Sequence, residues 1–362
     1  MMLEGIRVIE IEGLGPAPFA SMLLADLGAD VIVVHRKNGG PAHGMPDRSL
    51  IDRGKRSIEL DLKSADDIAV LKSLVARSDA LVEGFRPGVM ERLGLGPEDL
   101  SAHNPDLVYG RMTGWGQTGP RAGTAGHDLN YISLSGALWY SANPGDPPFS
   151  PPTLVGDIGG GALYLTVGIL AGVHAARSGR GGCVVDASIV DGSAHMMNLL
   201  MTMRQSGHLS TQRGRSLLDG PHWSRCYACA DGGFVSVQCL EPKFYAEFLN
   251  RLGLKDDPDF ADQFDAGAWP RQTAILAGMF ARKPRAHWEA VFDGSDACVA
   301  PALDPDQSAR EPHMKARGIW REIGGVMQAA PAPRFSTRPD PEPGRVPARG
   351  EHTAEILSWL GT

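Results

Sequence analysis

Short apolar runs alternate with helix-like segments over the first 112 residues, and this alternation limits the fold more than any other feature. Strand-like runs occur at Ile6–Ile11, Val31–Val34, Ala80–Glu83 and Leu107–Met112. Helical spacing occurs between them, at Phe19–Leu27, Ala65–Ala76 and Gly88–Leu93. Because a crossover helix brings the next strand in parallel to the last, the pattern predicts an α/β fold with a mostly parallel sheet.

The pattern changes after a further strand at Cys183–Ala187 and a helix at Val190–Gln205. Tyr227–Cys239 alternates around an Asp231-Gly232-Gly233 turn, which indicates a hairpin. Helical segments follow at Lys243–Leu252, Arg271–Arg282 and Ala286–Phe292. We therefore predict a large Rossmann-like domain and a smaller α+β domain. The large domain takes 1–205 with 320–362, the small domain takes 225–310, and 206–224 and 311–319 are linkers.

Charge and cysteine content exclude several classes of protein. The 35 basic and 42 acidic residues give a net charge of −7, which argues against a nucleic-acid surface but permits a local basic pocket for one phosphorylated ligand. Five scattered cysteines indicate reduced thiols, and Cys226 and Cys229 have no second pair that would complete a zinc site. The start of the chain does not resemble a signal peptide, so we expect a cytoplasmic protein.

The most apolar stretch covers residues 159–173. Spanning a bilayer needs about 20 apolar residues, so the prediction is a buried helix rather than a membrane span. Four methionines follow it on the next helix, and they either pack in the core or form an adaptable apolar binding surface: Met196, Met197, Met201 and Met203.

A glycine-rich turn follows the first strand, at Gly13-Leu14-Gly15-Pro16-Ala17-Pro18. It resembles a dinucleotide-binding turn, but it ends in proline where that motif has a third glycine. The second strand ends in His35-Arg36 rather than in an acidic residue, which disfavours NAD and suits a phosphate. Three further cations, Arg53, Lys55 and Arg56, are either solvated surface charges or part of that phosphate site.

Asp157 and His127 are the main candidates for chemistry. Asp157 precedes three glycines, so it is either a helix N-cap or a carboxylate at a backbone that a ligand approaches closely. His127, beside Asp128, is either a structural histidine or a catalytic one. Metal-binding, serine-hydrolase and P-loop motifs are absent from the sequence, so those classes are disfavoured and we expect no metal.

Several motifs together resemble the family III CoA-transferases and, within them, the α-methylacyl-CoA racemases. The resemblance covers essentially the whole chain. Its motifs are Asp26–Val31, Glu83-Gly84-Phe85-Arg86-Pro87-Gly88, Thr113–Pro120, Gly126-His127-Asp128, Gly156-Asp157 and Glu241-Pro242. One departure is His35-Arg36-Lys37, where racemases usually have an acidic residue before the arginine and a proline after it.

The resemblance implies a large Rossmann-like domain built from both chain ends and two subunits interlocked as a homodimer. It also implies a CoA thioester as substrate and no cofactor. By motif match, CoA would contact Arg36, Leu60, Asp61, Leu62, Lys63, Gly84, Phe85, Arg86 and Arg92. The thioester end would lie beside Gly126, Asp128, Leu129, Asn130 and Tyr131.

The resemblance leaves two activities open. In a racemase, His127 and Asp157 would face opposite sides of the α-carbon, Glu241 would hydrogen-bond His127, and (2R)- and (2S)-2-methylacyl-CoA would interconvert through an enolate. In a CoA-transferase, Asp157 would instead be a nucleophile. We expect the racemase, an isomerase, with backbone N–H groups after Asp157 holding the enolate oxygen. Asp157 must be protonated when it acts as the acid, so either burial raises its pKa or only its protonated fraction is active. A non-catalytic acyl-CoA-binding protein is the third possibility.

Overall fold

The computed structural model of the chain describes residues 1–41 and 45–361. Its contacts divide the chain into two units. The first consists of Met1–Leu138, Ser150–Met197 and Trp320–Thr362, and the second of Trp139–Phe149 and Asn198–Ile319. The contacts thus group 206–224, 311–319 and 139–149 with the second unit. Trp139 Nε1 and Tyr140 OH donate to the carbonyls of Thr211 and Ser210, which accounts for the last of these.

A six-stranded parallel sheet forms the centre of the first unit and confirms the predicted fold class. Its strands are β1 (Arg7–Ile11), β2 (Asp30–Arg36), β3 (Arg56–Leu60), β4 (Ala80–Glu83), β5 (Val108–Thr113) and β6 (Cys183–Ser188). The order β3-β2-β1-β4-β5-β6 is that of a Rossmann fold. Between β1 and β4 the connections turn to opposite faces, which opens a crevice at the carboxyl ends of the strands.

Helices cover both faces of this sheet, which separates two apolar cores. They are α1 (Pro16–Asp26), α2 (Ala65–Val75), α3 (Val89–Arg92), α4 (Pro97–Ser101), α5 (Asp128–Ser135), α6 (Leu163–Ala175) and α7 (Ile189–Met196). A single 3₁₀ turn, Leu50–Asp52, precedes β3. The strand β3 and the helix α5 were not predicted, because each mixes polar with apolar residues in too short a run to show a period.

Helix α6 belongs to a longer helical segment, Leu154–Arg180, which begins with π-helical turns at Leu154–Ala162 and is kinked at Gly179, whose φ of 78° is left-handed. Among the described residues it is the one helix long and apolar enough to cross a membrane by length and composition. One side of α6 packs on β5 and β6, where Leu165 and Ile169 are fully buried. The predicted helix is therefore present, but it is longer than the apolar stretch and is buried on one side only, since Val167 on its other side is 66% exposed.

The second unit is α+β. Its antiparallel sheet has β7 (Ser224–Ala228), β8 (Phe234–Gln238) and β9 (Val299–Ala302) in that order, and it includes the predicted hairpin. Its helices are α8 (Asn198–Gln205), α9 (Pro242–Leu252), α10 (Trp269–Phe280), α11 (Arg285–Phe292), α12 (Pro305–Arg310) and α13 (Pro312–Ala316), with a 3₁₀ turn at Pro258–Phe260. An aromatic core holds this unit together, with Trp223, Phe248 and Phe280 fully buried. All five cysteines of the chain are free.

The chain then returns to the first unit through the hairpin β10 (Trp320–Ile323) and β11 (Val326–Ala329) and the helix α14 (Thr353–Leu360). This C-terminal segment is attached to β3 by hydrogen bonds that each join a main-chain N–H to a side chain. Gly350 N–H donates to Ser57 Oγ at 2.8 Å, and Ser57 N–H donates to His352 Nδ1 at 3.1 Å. The segment therefore lies along β3, the edge strand of the sheet next to β2.

Both interpretations of the cation cluster after β2 were wrong for Arg53 and Lys55. Arg53 is 5% exposed and pairs with Asp26, while Lys55 is 4% exposed and donates to Glu10 Oε2 at 2.5 Å. Arg56 pairs with Asp30. Arg53 and Lys55 bind carboxylates of the chain itself because a buried cation needs a partner, so neither is available to a phosphate.

Of the two interpretations of the four methionines, packing in the core is contradicted by the structure. None of the four side chains is buried. Met196 ends α7 in the first unit and Met197 follows it, whereas Met201 and Met203 belong to α8 in the second unit. The chain is not one helix there, because it breaks between α7 and α8.

Candidate active site

Two cavities open on the first unit at the carboxyl ends of its strands. The β2 cavity, of about 450 Å³, is lined by residues that include Glu12, Arg36, Gly39, Gly40, Leu60, Asp61, Leu62 and Lys63. The His127 cavity, of about 440 Å³, is lined by residues that include Gly84, Arg86, Trp115, Gly126, His127, Tyr131 and Asp157. Both are lined by Leu14 and Phe85, so the two cavities are neighbours.

His127 stands at the start of α5, with extended backbone angles. Its N–H donates to Asn130 Oδ1 at 3.0 Å, and its carbonyl accepts the N–H of Asn130 at 2.7 Å. This reciprocal capping fixes the backbone of His127 and leaves its exposed imidazole in the cavity. Helix α5 thus begins at the cavity with the positive end of its dipole.

Asp157 lies inside the first turn of the long helix and is not its N-cap, since Thr153 occupies that position. The Asp157 N–H donates to Oδ1 of the buried Asp128 at 2.8 Å. A Cβ on Gly156 would lie 2.4 Å from the same oxygen, so only glycine leaves room for Asp128 there. The Gly156-Asp157 pair therefore allows the two helix starts to approach closely.

The electrostatic surroundings of Asp157 favour its neutral form. Burial, together with the negative charge of Asp128, raises the pKa of Asp157 to about 6, and His127 acts in the opposite direction. Of the two alternatives for Asp157, a pKa raised by burial is therefore the one that the structure supports. Burial and the charge of Asp157 also raise the pKa of Tyr131. A carboxyl group with a pKa near 6 can exchange protons near neutral pH.

An aromatic pair forms one wall of the His127 cavity. The rings of Trp115 and Tyr131 meet edge to face with centroids 4.7 Å apart, and Tyr131 OH donates to the carbonyl of Gly126. A Cβ on Gly114 would lie 1.9 Å from the Tyr131 ring, so only glycine leaves room for the ring at this position. The buried Trp115 Nε1 has no hydrogen-bond partner in the described part of the chain. Sequence analysis missed Trp115 as a cavity residue, although the two glycines beside it are a usable signal.

The loop after β4 is held by a buried ion pair. Glu83 has no exposed surface, and its carboxylate accepts hydrogen bonds from Arg111 Nε at 3.0 Å and from the Phe85 N–H at 2.6 Å. Arg111 also pairs with Glu91 on α3. This arrangement fixes Gly84, Phe85 and Arg86 at the crevice between β1 and β4, where a Rossmann fold binds its ligand.

The β2 cavity brings together most of the predicted CoA-binding residues. Arg36 ends β2 with its side chain exposed, and its N–H donates to Glu12 Oε2 at 2.9 Å. The turn at Leu60–Lys63 is shaped by Asp61, whose Oδ1 accepts the Lys63 N–H at 3.0 Å. Arg36 and Lys63 give this cavity two exposed cations.

Five predicted residues are not among those that line the two cavities. One of them is Asp128, which is buried and accepts the Asp157 N–H. Arg92 lies on α3, Leu129 and Asn130 are exposed on α5, and Glu241 precedes α9 in the second unit, so its bond to His127 stays a prediction. The prediction of an enolate site on the N–H groups after Asp157 was wrong for the first of them, that of Ile158, and the N–H of Asp157 itself is also occupied. Asp157 N–H donates to Asp128, and Ile158 N–H donates to the carbonyl of Thr153 at 3.0 Å.

Within residues 1–41 and 45–361, no group of three or more His, Cys, Asp or Glu side chains is placed to hold a metal ion.

The family model of CoA-transferase family III matches residues 3–353 of the chain. The chain belongs to CoA-transferase family III. The predicted family resemblance is thereby confirmed.

The relatives within this family carry two activities. The α-methylacyl-CoA racemases of Mus musculus and Homo sapiens are 42% and 41% identical to this family III chain, over all of it and 94% of each relative. The acetyl-CoA:oxalate CoA-transferase of Acetobacter aceti is 30% identical over 93% of the chain and 90% of the relative. A crystal structure of a CaiB/BaiF family protein from Brucella suis superposes with a TM-score of 0.80, at 27% identity and 99% coverage of both chains.

Proposed function

We propose that this protein is an isomerase that racemises 2-methylacyl-CoA thioesters by removing and returning the α-proton. The observation that carries the proposal is the presence of His127 and Asp157 on one cavity, with the pKa of Asp157 raised to about 6. Similarity to two racemases over the full chain supports the same activity. The adjoining β2 cavity, with Arg36 and Lys63, suits the phosphates of CoA.

Racemisation of a thioester needs one base and one acid on opposite faces of the α-carbon. A neutral imidazole at His127 takes the proton from one enantiomer, and the protonated carboxyl of Asp157 gives a proton to the other face. The reverse direction exchanges these roles. The positive end of α5 stabilises the negative charge that develops on the enolate. Asp128 holds the backbone of Asp157, and its charge keeps part of the Asp157 population protonated.

A CoA-transferase is the second candidate, because one relative has that activity and because a carboxylate on such a cavity can also attack a thioester. Incubating one enantiomer of a 2-methylacyl-CoA with the protein, with and without a free carboxylic acid, separates the two. The proposal predicts that both enantiomers approach equal amounts without the acid and that no acyl-CoA of the added acid forms. Acyl transfer to the acid with no loss of chirality would contradict it.

The Asp128→Asn variant should shift the pH profile of racemisation. The asparagine oxygen can still accept the Asp157 N–H, but the negative charge that raises the pKa of Asp157 is gone. In the direction in which Asp157 is the acid, kcat/KM falls as pH rises through this pKa. We therefore expect the limb near pH 6 to move to lower pH in Asp128→Asn.

The control for this profile is Asp106→Asn, at an exposed aspartate that lines neither cavity. Its limb should coincide with that of the wild type. A limb that stays in place in Asp128→Asn would show that Asp157 does not titrate in the measured step.

Replacing Arg36 with alanine should weaken the binding of CoA by about 1–3 kcal/mol, because a charge-assisted contact to phosphate is lost. The side chain is exposed and lines the β2 cavity, so the fold should tolerate the change. Titration calorimetry with coenzyme A measures the effect. An unchanged Kd would place Arg36 outside the binding site.

A further inference from the structure

An ion pair between distant parts of the chain borders the β2 cavity. Glu12 follows β1 and lines both this cavity and a small adjoining hollow of about 50 Å³, which Arg349 of the C-terminal segment also lines. Arg349 Nη2 donates to Glu12 Oε2 at 3.0 Å, and Nη1 donates to Oε1. The Arg349 side chain is 15% exposed and the Glu12 side chain is 27% exposed, so the pair is largely shielded from solvent.

The same pair holds the main chain of Arg36 from both sides of its peptide. Glu12 Oε2 accepts the Arg36 N–H at 2.9 Å, and Arg349 Nη2 approaches the Arg36 carbonyl at 3.5 Å. A Cβ on Gly39 would lie 3.4 Å from Arg349 Nη2, so the guanidinium lies against the turn that follows Arg36. The end of β2 is thus fixed by a residue more than 300 positions away.

Glu12 carries a charge that is unfavourable in a phosphate-binding cavity. Burial opposes its ionisation, but the hydrogen bonds from Arg349 and from the Arg36 N–H hold the pKa of Glu12 below its ordinary value. Glu12 is therefore ionised at neutral pH. Without Arg349, its negative charge would stand unpaired beside Arg36, where it would attract that cation and repel a phosphate.

We propose that Arg349 is a positioning residue of the CoA site. It neutralises Glu12 and fixes the end of β2, so that the exposed Arg36 side chain is left to bind an anionic group of the ligand. The identity of the ligand rests on the proposed function, but the role of Arg349 needs only an anion in the β2 cavity. The C-terminal segment thus contributes to ligand binding through a residue that makes no contact with the reacting atoms.

A double-mutant cycle tests the proposal, with coenzyme A as the probe and titration calorimetry as the readout. Arg349→Gln should raise the Kd about tenfold or more and raise KM with little change in kcat, because like charges are left facing each other. Glu12→Gln in the Arg349→Gln background removes the unpaired charge. The double variant should therefore return to within about threefold of the wild type, since only the charge conflict is relieved.

Arg345→Gln is the matched control, because Arg345 lies on the same segment and pairs with Glu351, but is 64% exposed and lines neither cavity. Its Kd should equal that of the wild type. Wild-type affinity in Arg349→Gln, or a double variant as weak as Arg349→Gln, would overturn the proposal, as would a wild type that does not bind coenzyme A. If the Kd values of the variants follow this prediction but the protein does not racemise 2-methylacyl-CoA, only the proposed function is contradicted.

Discussion

Replacing Asp157 with asparagine is expected to lower kcat/KM for racemisation by about 10²- to 10⁴-fold, because the amide neither donates nor accepts the transferred proton. The size and shape of the side chain are kept, and the backbone bond from the Asp157 N–H to Asp128 does not involve the side chain of Asp157. Racemisation assays with each enantiomer measure the loss. His127→Ala should cause a loss in the same range.

The two variants should differ when α-proton exchange is followed for each enantiomer separately. Asp157→Asn should retain slow exchange from the enantiomer whose proton faces His127, and His127→Ala should retain it from the other. Asp106→Asn, a carboxylate-to-amide change at an exposed site, serves as the control and should behave as the wild type. Equal residual exchange from both enantiomers in both variants would contradict a two-sided mechanism.

The second large effect is expected on stability. Lys55 has no exposed side-chain surface and bonds Glu10, which is equally buried in the middle of β1. Burial raises the pKa of Glu10, against the opposing charge of Lys55. Lys55→Met would leave this carboxyl without its partner, and breaking a buried ion pair costs about 3–5 kcal/mol in the free energy of unfolding. Urea denaturation measures the change.

Lys37→Met gives the comparison, because Lys37 is also a lysine paired with a carboxylate, that of Asp67, but is 52% exposed. Its loss should change the free energy of unfolding by no more than about 1 kcal/mol. A similar change in the free energy of unfolding for the two variants would show that the buried Lys55–Glu10 pair does not stabilise the sheet. Glu10→Gln combined with Lys55→Met should recover part of the loss, because the buried charge is removed.

Local pattern was enough to predict the parallel sheet but not all of its strands. Ala80–Glu83 was predicted to the residue because its first three residues are apolar and fully buried on both faces. The strand β3 was missed because Ser57 and Glu59 interrupt its apolar residues. Ser57 is nevertheless fully buried, since its hydroxyl bonds His35 at 2.7 Å, and such a contact depends on the neighbouring strand.

The candidate site was predictable where a motif is local and not where it depends on pairing in space. Gly126-His127-Asp128 and Gly156-Asp157 are visible in the sequence, and the structure brings both to one cavity. The bond between Asp128 and Asp157 spans 29 residues, and that between Glu12 and Arg349 spans 337. The buried partners of Arg53 and Lys55 were missed for the same reason, because sequence spacing does not show which carboxylate neutralises a cation.

In the proposed mechanism, His127 and Asp157 transfer a proton at the α-carbon, and Asp157 forms no covalent bond with the substrate. The most direct test is to incubate the wild-type protein with one enantiomer of a 2-methylacyl-CoA in deuterated water and to record deuterium at the α-carbon and the intact mass of the protein. Two-sided proton transfer predicts deuterium in both product enantiomers and an unchanged protein mass. A covalent adduct on Asp157, together with nearly full activity in His127→Ala, would contradict it.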